Sequence, residues 1–492
     1  MHDNLYIGID LGTSAVKLLL VSEDGEVKKT VSREYPILFP EDGWAEQDPE
    51  EWIRASFDGL QELLSGVDKE KVRGIGSGGQ MHGLVILDED DRVIRPAILW
   101  NDGRTARQTV HLNKNIGKDK LSAWTGNIAF AGFTAPKLLW LFEKEPQNFN
   151  RIKKAMLPKD YLNYVLTGNF VTDYSDASGT LYLDVQHKCW SKEMLEILGL
   201  KEEQLPELHE SFDAVGYLKP EIAEKLGLST DVVVAAGAGD NAAAAIGTGV
   251  VGPGAVNISV GTSGTIFITE DHFTVDPMNA LHAFAHADGN YHLMGVVLSA
   301  AACNKWWCDE ILKTRDYSAE QAAIQGLGEN RVYYLPYLMG ERSPHNDSEI
   351  RAAFVGMSMD TDRSEMTQAV LEGVAFAFRD SLEIAKAQGI MPEKSRLCGG
   401  GAKSLLWRKI LANVLQLPLE TVESEEGPGL GGAILSMVAA GAYKNVEEAA
   451  KTIVRVKDTE PVDPVLAEKY NTRYEFYKKL YPALRPLYHE TI

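Results

Sequence analysis

Cysteine is scarce in this sequence, and its scarcity sets the first exclusion. Four occur in 492 residues, at positions 189, 303, 308 and 398. None forms a Cys-x-x-Cys pair, so neither a disulfide framework nor a zinc site is indicated. There is also no Gly-x-x-x-x-Gly-Lys-Ser/Thr loop, so the P-loop cradle for a nucleotide is excluded. Positive charge is short as well: 49 Lys and Arg stand against 70 Asp and Glu, a formal net charge of −21 with a pI near 5.0. A general nucleic-acid or anionic-membrane binder needs a basic footprint that this chain lacks. The longest apolar region, 232–256, is broken by Asp240 and Asn241 and is rich in glycine, so it is no membrane span. The start, Met1-His2-Asp3-Asn4, has neither the basic residues nor the apolar run of a secretory signal. The expectation is a cytoplasmic protein with no nucleic-acid or membrane partner.

What is present is an ordinary globular composition, 45% hydrophobic and 24% charged, in a chain too long for one core. The stretch Ile7-Gly-Ile-Asp-Leu-Gly-Thr-Ser14 opens a hairpin of β-branched and aliphatic strands around a Gly-Thr-Ser tip. A close echo follows at Val256-Asn-Ile-Ser-Val-Gly-Thr-Ser-Gly-Thr-Ile-Phe-Ile268. Gly12, Thr13 and Ser14 align with Gly261, Thr262 and Ser263 at an offset of 249 residues (261 minus 12), close to half the chain. The repeat predicts duplicated halves, residues 1–246 and 247–492. Each tip offers converging backbone amides and two hydroxyls, which suits an anion, and two tips across a cleft can hold the two ends of one polyphosphate. Asp10, just before the first tip, is placed to hold Mg²⁺ directly or through its waters. Lys17, on the returning strand, reaches phosphate or is paired.

Several further stretches carry polar groups at the ends of apolar elements. Asp48-Pro49 starts a helix expected to run to about Ser65. A strand from Val72 to Ser77 feeds the loop Gln80-Met81-His82-Gly83, where a polar ligand can be met beyond the strand end. After a strand at Pro96 to Trp100, Asp102 and Arg104 either pair or face a cleft. The stretch 172–180 reads as a polar loop. Asp231 to Gly247 is a buried strand running into Gly237-x-Gly239 and an alanine-rich helix. This passes the dinucleotide pattern, but no acidic ribose ligand occurs between Asp240 and Glu270, so that reading is set aside. Asp240 is then either a helix cap or a functional acid at the junction of two apolar elements. The spacing of His282, His286 and His292 fits two strands around an Asp-Gly-Asn turn better than a metal site. In the second half, Leu298 to Leu312 and about 364–388 are helical. Gly399-Gly400-Gly401-Ala402 offers bare backbone to a flat ligand, and Glu425 to Ala433 repeats the device before a helix expected from Ala433 to Ala440.

These parts suit phosphoryl transfer, which asks for positioning, charge stabilisation and a proton acceptor for the attacking hydroxyl. The residues also resemble the FGGY carbohydrate kinases of the actin-like ATPase superfamily, over nearly the whole chain. The resemblance rests on Ile7 to Ser14, Gln80-Met-His-Gly83, Ile98-Leu-Trp-Asn-Asp-Gly-Arg104, Gly132-Phe-Thr-Ala-Pro-Lys-Leu-Leu-Trp140, Leu157-Pro-Lys-Asp-Tyr161, Gly239-Asp-Asn241, Ser259-Val-Gly-Thr-Ser-Gly264, Gly340-Glu-Arg-Ser-Pro-His345 and Gly399 to Ala402. It implies an α/β fold of two ribonuclease H-like domains with a cleft between them, each with a mixed five-stranded sheet. It implies ATP and Mg²⁺ between the halves, sugar mainly on the first, and a homodimer. The Gln80 to Gly83 loop points to the branch that phosphorylates D-xylulose on its 5-hydroxyl. The resemblance makes Asp240 the catalytic base, Asp10 the metal-associated acid, Met81 and His82 sugar contacts with Gln80 and Asp102 near them, and Gly400, Gly401 and Ala402 part of the adenosine segment. Ser343 stands where Thr is expected, and Ala238 where Gly is common. A kinase for ribulose, gluconate or glycerol, and a binding protein that transfers no phosphate, are the competing expectations; the acid at Asp240 favours an enzyme.

Overall fold

The computed structural model describes residues 4–424 and 426–489. Met1, His2, Asp3 and Glu425, which entered the sequence reading, lie outside them. The repeat becomes two seven-stranded sheets of matching plan. In the first, Val27–Glu34, Ala15–Ser22 and Leu5–Leu11 run antiparallel to one another, Val72–Gly79 and Val233–Ala235 follow parallel to Leu5–Leu11, and Ala214–Tyr217 closes the edge antiparallel. In the second, Tyr291–Val297, Gly264–Glu270 and Ala255–Val260 take the antiparallel places, and Lys394–Cys398 and Leu419–Val422 the parallel ones. The five central strands therefore agree in order and sense. The expectation of five strands per sheet falls short by two: the first sheet adds Ala214–Tyr217 and Ala238–Gly239, the second His282–Ala285 and Val456–Glu460.

The central strands are buried on both faces, which is why they read as apolar runs rather than alternating ones. Helix Pro49–Leu63 starts where the sequence places it, with Asp48 accepting from the Glu50 amide at 3.0 Å and Trp52, Leu60 and Leu63 turned into the core. Helix Arg363–Ala387 opens on a capping box between Asp362 and Glu365. Two expectations change. The segment 172–180 is no open loop: strand Val171–Asp173, the helical turn Tyr174–Ala177 and the tight turn Ser178–Thr180 are buried except at Tyr174. The helical stretch after Leu298 begins at Ala301 and widens into a π turn over Trp307–Leu312.

The second glycine cluster also differs from its reading. The helix there is Gly427–Ala439, six residues longer at its start than expected, and its glycines meet protein rather than open space. A Cβ on Gly431 would lie 1.9 Å from the Ala243 carbonyl oxygen, and one on Gly247 would lie 1.9 Å from that of Gly427. On the sheet side, a Cβ on Gly8 would sit 1.9 Å from the Gly429 oxygen, and one on Gly76 2.1 Å from the Gly432 oxygen. Helix Gly427–Ala439 of the second half thus lies in near backbone contact with helix Asp240–Gly247 and two strands of the first. The expectation of bare backbone open to a ligand fails there, because the missing side chains serve close packing.

Candidate active site

The first tip is held by its neighbours. Gly12 donates to the Ala15 carbonyl at 3.0 Å, Tyr35 donates its hydroxyl to the Gly12 carbonyl at 2.5 Å, and Gln47 donates to the Thr13 carbonyl at 2.6 Å. Trp100 adds its indole N–H to Thr13 Oγ1 at 3.0 Å. Two of these bonds use tip carbonyls, one uses the Gly12 amide and one the Thr13 hydroxyl oxygen, and Ser14 is left exposed at the turn. The second tip is tied to the start of helix Ala301–Trp306: Ala301 donates to the Gly261 carbonyl at 2.8 Å and Ala300 to that of Thr262 at 3.0 Å, while Thr262 and Ser263 stay exposed. Lys17 forms an ion pair with Glu426 at 2.8 Å.

Two carboxylates lie beside the first tip. Asp10 is the cross-strand neighbour of Lys17 and receives no hydrogen bond from any described residue. Burial pushes its carboxyl up to about 6 against the pull of Lys17. Asp240 begins helix Asp240–Gly247. Its Oδ1 accepts from the Asn241 amide at 2.7 Å and the Asn241 side chain at 3.0 Å, and Oδ2 has no hydrogen bond from a described residue. Burial, with the charge of Asp10 added, pushes Asp240 up to about 7. It is not the helix cap, which is Gly239: it is the first helical residue, at the end of the central strands, with one carboxylate oxygen unpaired among the described residues.

The loop after Val72–Gly79 is fixed from several sides. His82 sits at φ 69°, a left-handed backbone unusual for histidine. The buried Lys137 holds it there, donating to the His82 carbonyl at 2.6 Å and to that of Gly132 at 2.8 Å. His82 Nδ1 lies 2.7 Å from the Gly179 carbonyl, which can only accept. Nδ1 thus carries the proton, and Nε2 is left as an acceptor for a hydroxyl. Burial holds His82 down to about 3, so the ring is neutral. Met81 packs on Gly239, next to Asp240; a Cβ there would lie 3.0 Å from its sulfur. Gln80 points inward, donating to Gln47 Oε1 at 2.9 Å, and so links the loop to the first tip. Asp102 is buried and spent within the protein, accepting from Arg104 Nε at 2.9 Å, Arg104 Nη2 at 2.6 Å and the Ala45 amide at 2.6 Å. Of the two alternatives for that pair, the geometry gives the ion pair.

Gln47, Lys137, Trp100 and the network under Asp240 have roles that the sequence pattern does not assign. In that network Lys159, fully buried, contacts Asp160 at 2.7 Å and Asp173 at 3.0 Å, and Ser175 accepts from the Gly239 amide at 3.2 Å. The signal was present in Leu157-Pro-Lys-Asp-Tyr161 and in the acid-rich 172–180, but nothing in sequence spacing joins the two.

In the second half, a cavity of about 340 Å³ is lined by Asn304, Lys305, Gln321, Gly400, Gly401 and Ser404 among others. Its glycines are not equivalent. A Cβ on Gly401 would strike Val260 at 2.4 Å, and Gly399 has φ +85°. Around a Cβ on Gly400 there is nothing within 4 Å, so this glycine faces the cavity. Ala402 is buried behind it.

Residues 5–247 match the model of the N-terminal domain of the FGGY family of carbohydrate kinases, and residues 256–440 that of its C-terminal domain. The chain belongs to this family. Among its relatives, a xylulose kinase of Escherichia coli is 41% identical, covering 98% of this chain and 100% of the relative. One of Bacillus subtilis is 37% identical over 98% and 97%. Two solved structures from Lactobacillus acidophilus each span 99% of this chain and 100% of their own: a xylulose kinase at 28% identity with TM-score 0.94, and a gluconate kinase at 29% with TM-score 0.93. As a carbohydrate kinase the protein uses ATP and a sugar. No helix among its described residues is long and apolar enough to cross a membrane.

Proposed function

We propose that this kinase transfers the γ-phosphoryl group of ATP to the 5-hydroxyl of D-xylulose, giving D-xylulose 5-phosphate and ADP. The observation that carries the chemistry is Asp240, a carboxylate with a free oxygen and a proton affinity near neutrality at the end of the central strands. In this reading Asp240 takes the proton of the attacking hydroxyl as the bond to phosphorus forms. Residues 1–246 hold the sugar, through Met81 and the neutral His82, whose Nε2 accepts a sugar hydroxyl. Residues 247–492 hold the nucleotide, with the adenosine on Gly400. The amides and hydroxyls of the two Gly-Thr-Ser tips clamp the phosphates from both sides.

Magnesium fits the residues present. Among the described residues no group of three or more His, Cys, Asp or Glu is placed to hold a metal unaided. Asp10 offers a partly buried carboxylate without a hydrogen bond, and Mg²⁺ typically takes one or two carboxylates and completes its shell with water and substrate phosphates. When bound there it would neutralise phosphate charge during transfer. Asp10 would hold it directly or through water, with Lys17, paired with Glu426, on the same side. A cytoplasmic homodimer belongs to the same reading.

The choice of sugar rests on the xylulose kinases that the chain resembles over its full length. The near-equal fit to a gluconate kinase structure keeps a second acceptor in view. ADP release measured over D-xylulose, D-ribulose, gluconate and glycerol decides between them. D-xylulose is expected to give the highest kcat/KM. If another acceptor clearly outran it, the substrate assignment would fall while the kinase assignment stood.

A further inference from the structure

We infer that Arg342 selects the acceptor: its guanidinium hydrogen-bonds the carbonyl end of the ketose, the end remote from the hydroxyl that receives phosphate. The inference rests on the ketopentose reading and adds to it a residue from the opposite half of the molecule.

Arg342 is partly buried, and its guanidinium forms no ion pair or hydrogen bond with any described residue. Its neighbours contrast with it. Arg104 is paired with Asp102 at 2.6 Å and Glu46 at 2.6 Å, and Lys137 is spent on two carbonyls. The adjacent carboxylate makes no ion pair with it: Glu341 Oε1 accepts the amides of Leu298 and Arg342, both at 2.8 Å, and burial pushes the carboxyl up to about 8. The backbone that carries Arg342 is pinned on its far side too. Ser343 donates its amide to the Val296 carbonyl at 3.0 Å and its hydroxyl to that of Ala280 at 2.8 Å. A charged fork is thus presented from a fixed backbone with its donors unspent, and an unpaired charge shielded from water is costly unless a ligand meets it.

Its surroundings say which ligand. The guanidinium carbon lies 4.7 Å from the centre of the Phe130 ring. Phe130 packs against Phe133 at 5.4 Å and His282 at 5.0 Å, and Phe133 stacks on His82 at 4.8 Å. Arg342 therefore belongs to the aromatic wall around the sugar loop. Its charge helps to depress both His82 and His282, while neither Asp10 nor Asp240 feels it. With Met81 against Gly239, the loop runs from the base at one end to His82 and this wall at the other. Around the guanidinium the two histidines are neutral, and Glu341, whose charge reaches Arg342, is pushed by burial toward its protonated form, so it makes a weak competitor. A guanidinium fork in such a place suits two neighbouring neutral oxygens, a carbonyl and the hydroxyl next to it.

The test compares D-xylulose with xylitol, the same carbon chain with the carbonyl reduced, in wild type, Arg342→Met and Arg342→Lys. Arg342→Met is expected to raise KM for D-xylulose by roughly ten- to a hundredfold, the scale of one charge-assisted hydrogen bond, with a much smaller change in kcat. The ratio of kcat/KM between D-xylulose and xylitol should fall by a similar factor, because xylitol has no carbonyl to lose. Arg342→Lys keeps the charge without the fork and should fold normally yet recover little of the ratio. Thermal unfolding supplies a second readout: in Arg342→Met the sugar should lose its stabilising shift while Mg-ATP keeps its own. Wild type without turnover of D-xylulose sinks the ketopentose reading and the inference with it. Wild-type turnover with an unchanged ratio in both variants, or equal losses on both substrates, overturns the inference alone and leaves Arg342 as packing on Phe130.

Discussion

The two Gly-Thr-Ser hairpins share their place in the sheet and differ in what they carry. In the first, residues 12–15 separate the last cross-strand pair, Leu11 and Val16; in the second, 261–263 separate Val260 from Gly264, so the turn is one residue shorter. Asp10 pairs with Lys17 across the first hairpin, whereas the matching strand position in the second is Ser259, paired with Thr265. Gly8, which admits the helix Gly427–Ala439, corresponds to Asn257, which is buried and accepts from Cys398. The helices that follow the last parallel strand differ in the same sense: one opens on Asp240, the other on Gly427. The halves share the Gly-Thr-Ser turn and differ in the rest. The buried carboxylates Asp10 and Asp240 sit in one half, and the other pairs a neutral hairpin with the cavity at Gly400.

That division is sharpest at Asp240. Asp240→Asn should lower kcat by about 10²- to 10⁴-fold, the range of a lost general base. Binding should survive, read as the thermal shift given by D-xylulose. Near-normal turnover would remove Asp240 from the base role and with it the main asymmetry between the halves. Next comes the matched pair Asp10→Asn and Ser259→Ala. If the charge at Asp10 supports the metal, Asp10→Asn should weaken Mg²⁺ dependence about 10- to 100-fold, while Ser259→Ala changes little. Equal effects would mean that the two hairpins do the same work.

The acid limb of the pH profile probes the same side. Asp240 near 7 and Asp10 near 6 are both raised by burial, so both gain protons as the pH falls. The rate in kcat/KM should drop about tenfold per unit below 7 and more steeply below 6, with apparent values that belong to the pair. Stability moves the other way. Carboxyls with raised native pKa values stabilise the fold in their protonated form, so their contribution fades as the pH rises through 6 and 7. Unfolding temperature should therefore gain from this pair where activity is lost, and removing either acid should flatten both curves.

The hairpins were legible because a fixed offset in a chain repeats a motif whose backbone needs are strict. Asp240 was legible as an acid out of place between apolar elements. Residues that act through space were not: Gln47 joins Gln80 to Thr13, and Lys137 fixes the left-handed His82, across contacts that no spacing encodes. Asp102 shows the converse, since a polar residue at a strand end looks the same in sequence whether it meets a ligand or an arginine. Glycine misled in one place for a related reason. Sequence marks where a side chain is missing, but not whether backbone or open space fills the gap.

The two glycine clusters turn that last ambiguity into a measurement. At Gly431 an added methyl meets the Ala243 carbonyl at 1.9 Å, a backbone atom that cannot step aside, so Gly431→Ala should cost about 1–3 kcal/mol of stability through overpacking. At Gly400 the same methyl meets nothing within 4 Å and the backbone is not left-handed, so the fold should be unchanged. If the cavity beside it receives the adenosine, Gly400→Ala should raise KM for ATP several-fold at constant unfolding temperature and leave KM for the sugar alone. A loss of stability at Gly400 with no change in KM for ATP would make both clusters packing devices, and the nucleotide would have to be sought elsewhere in the second half.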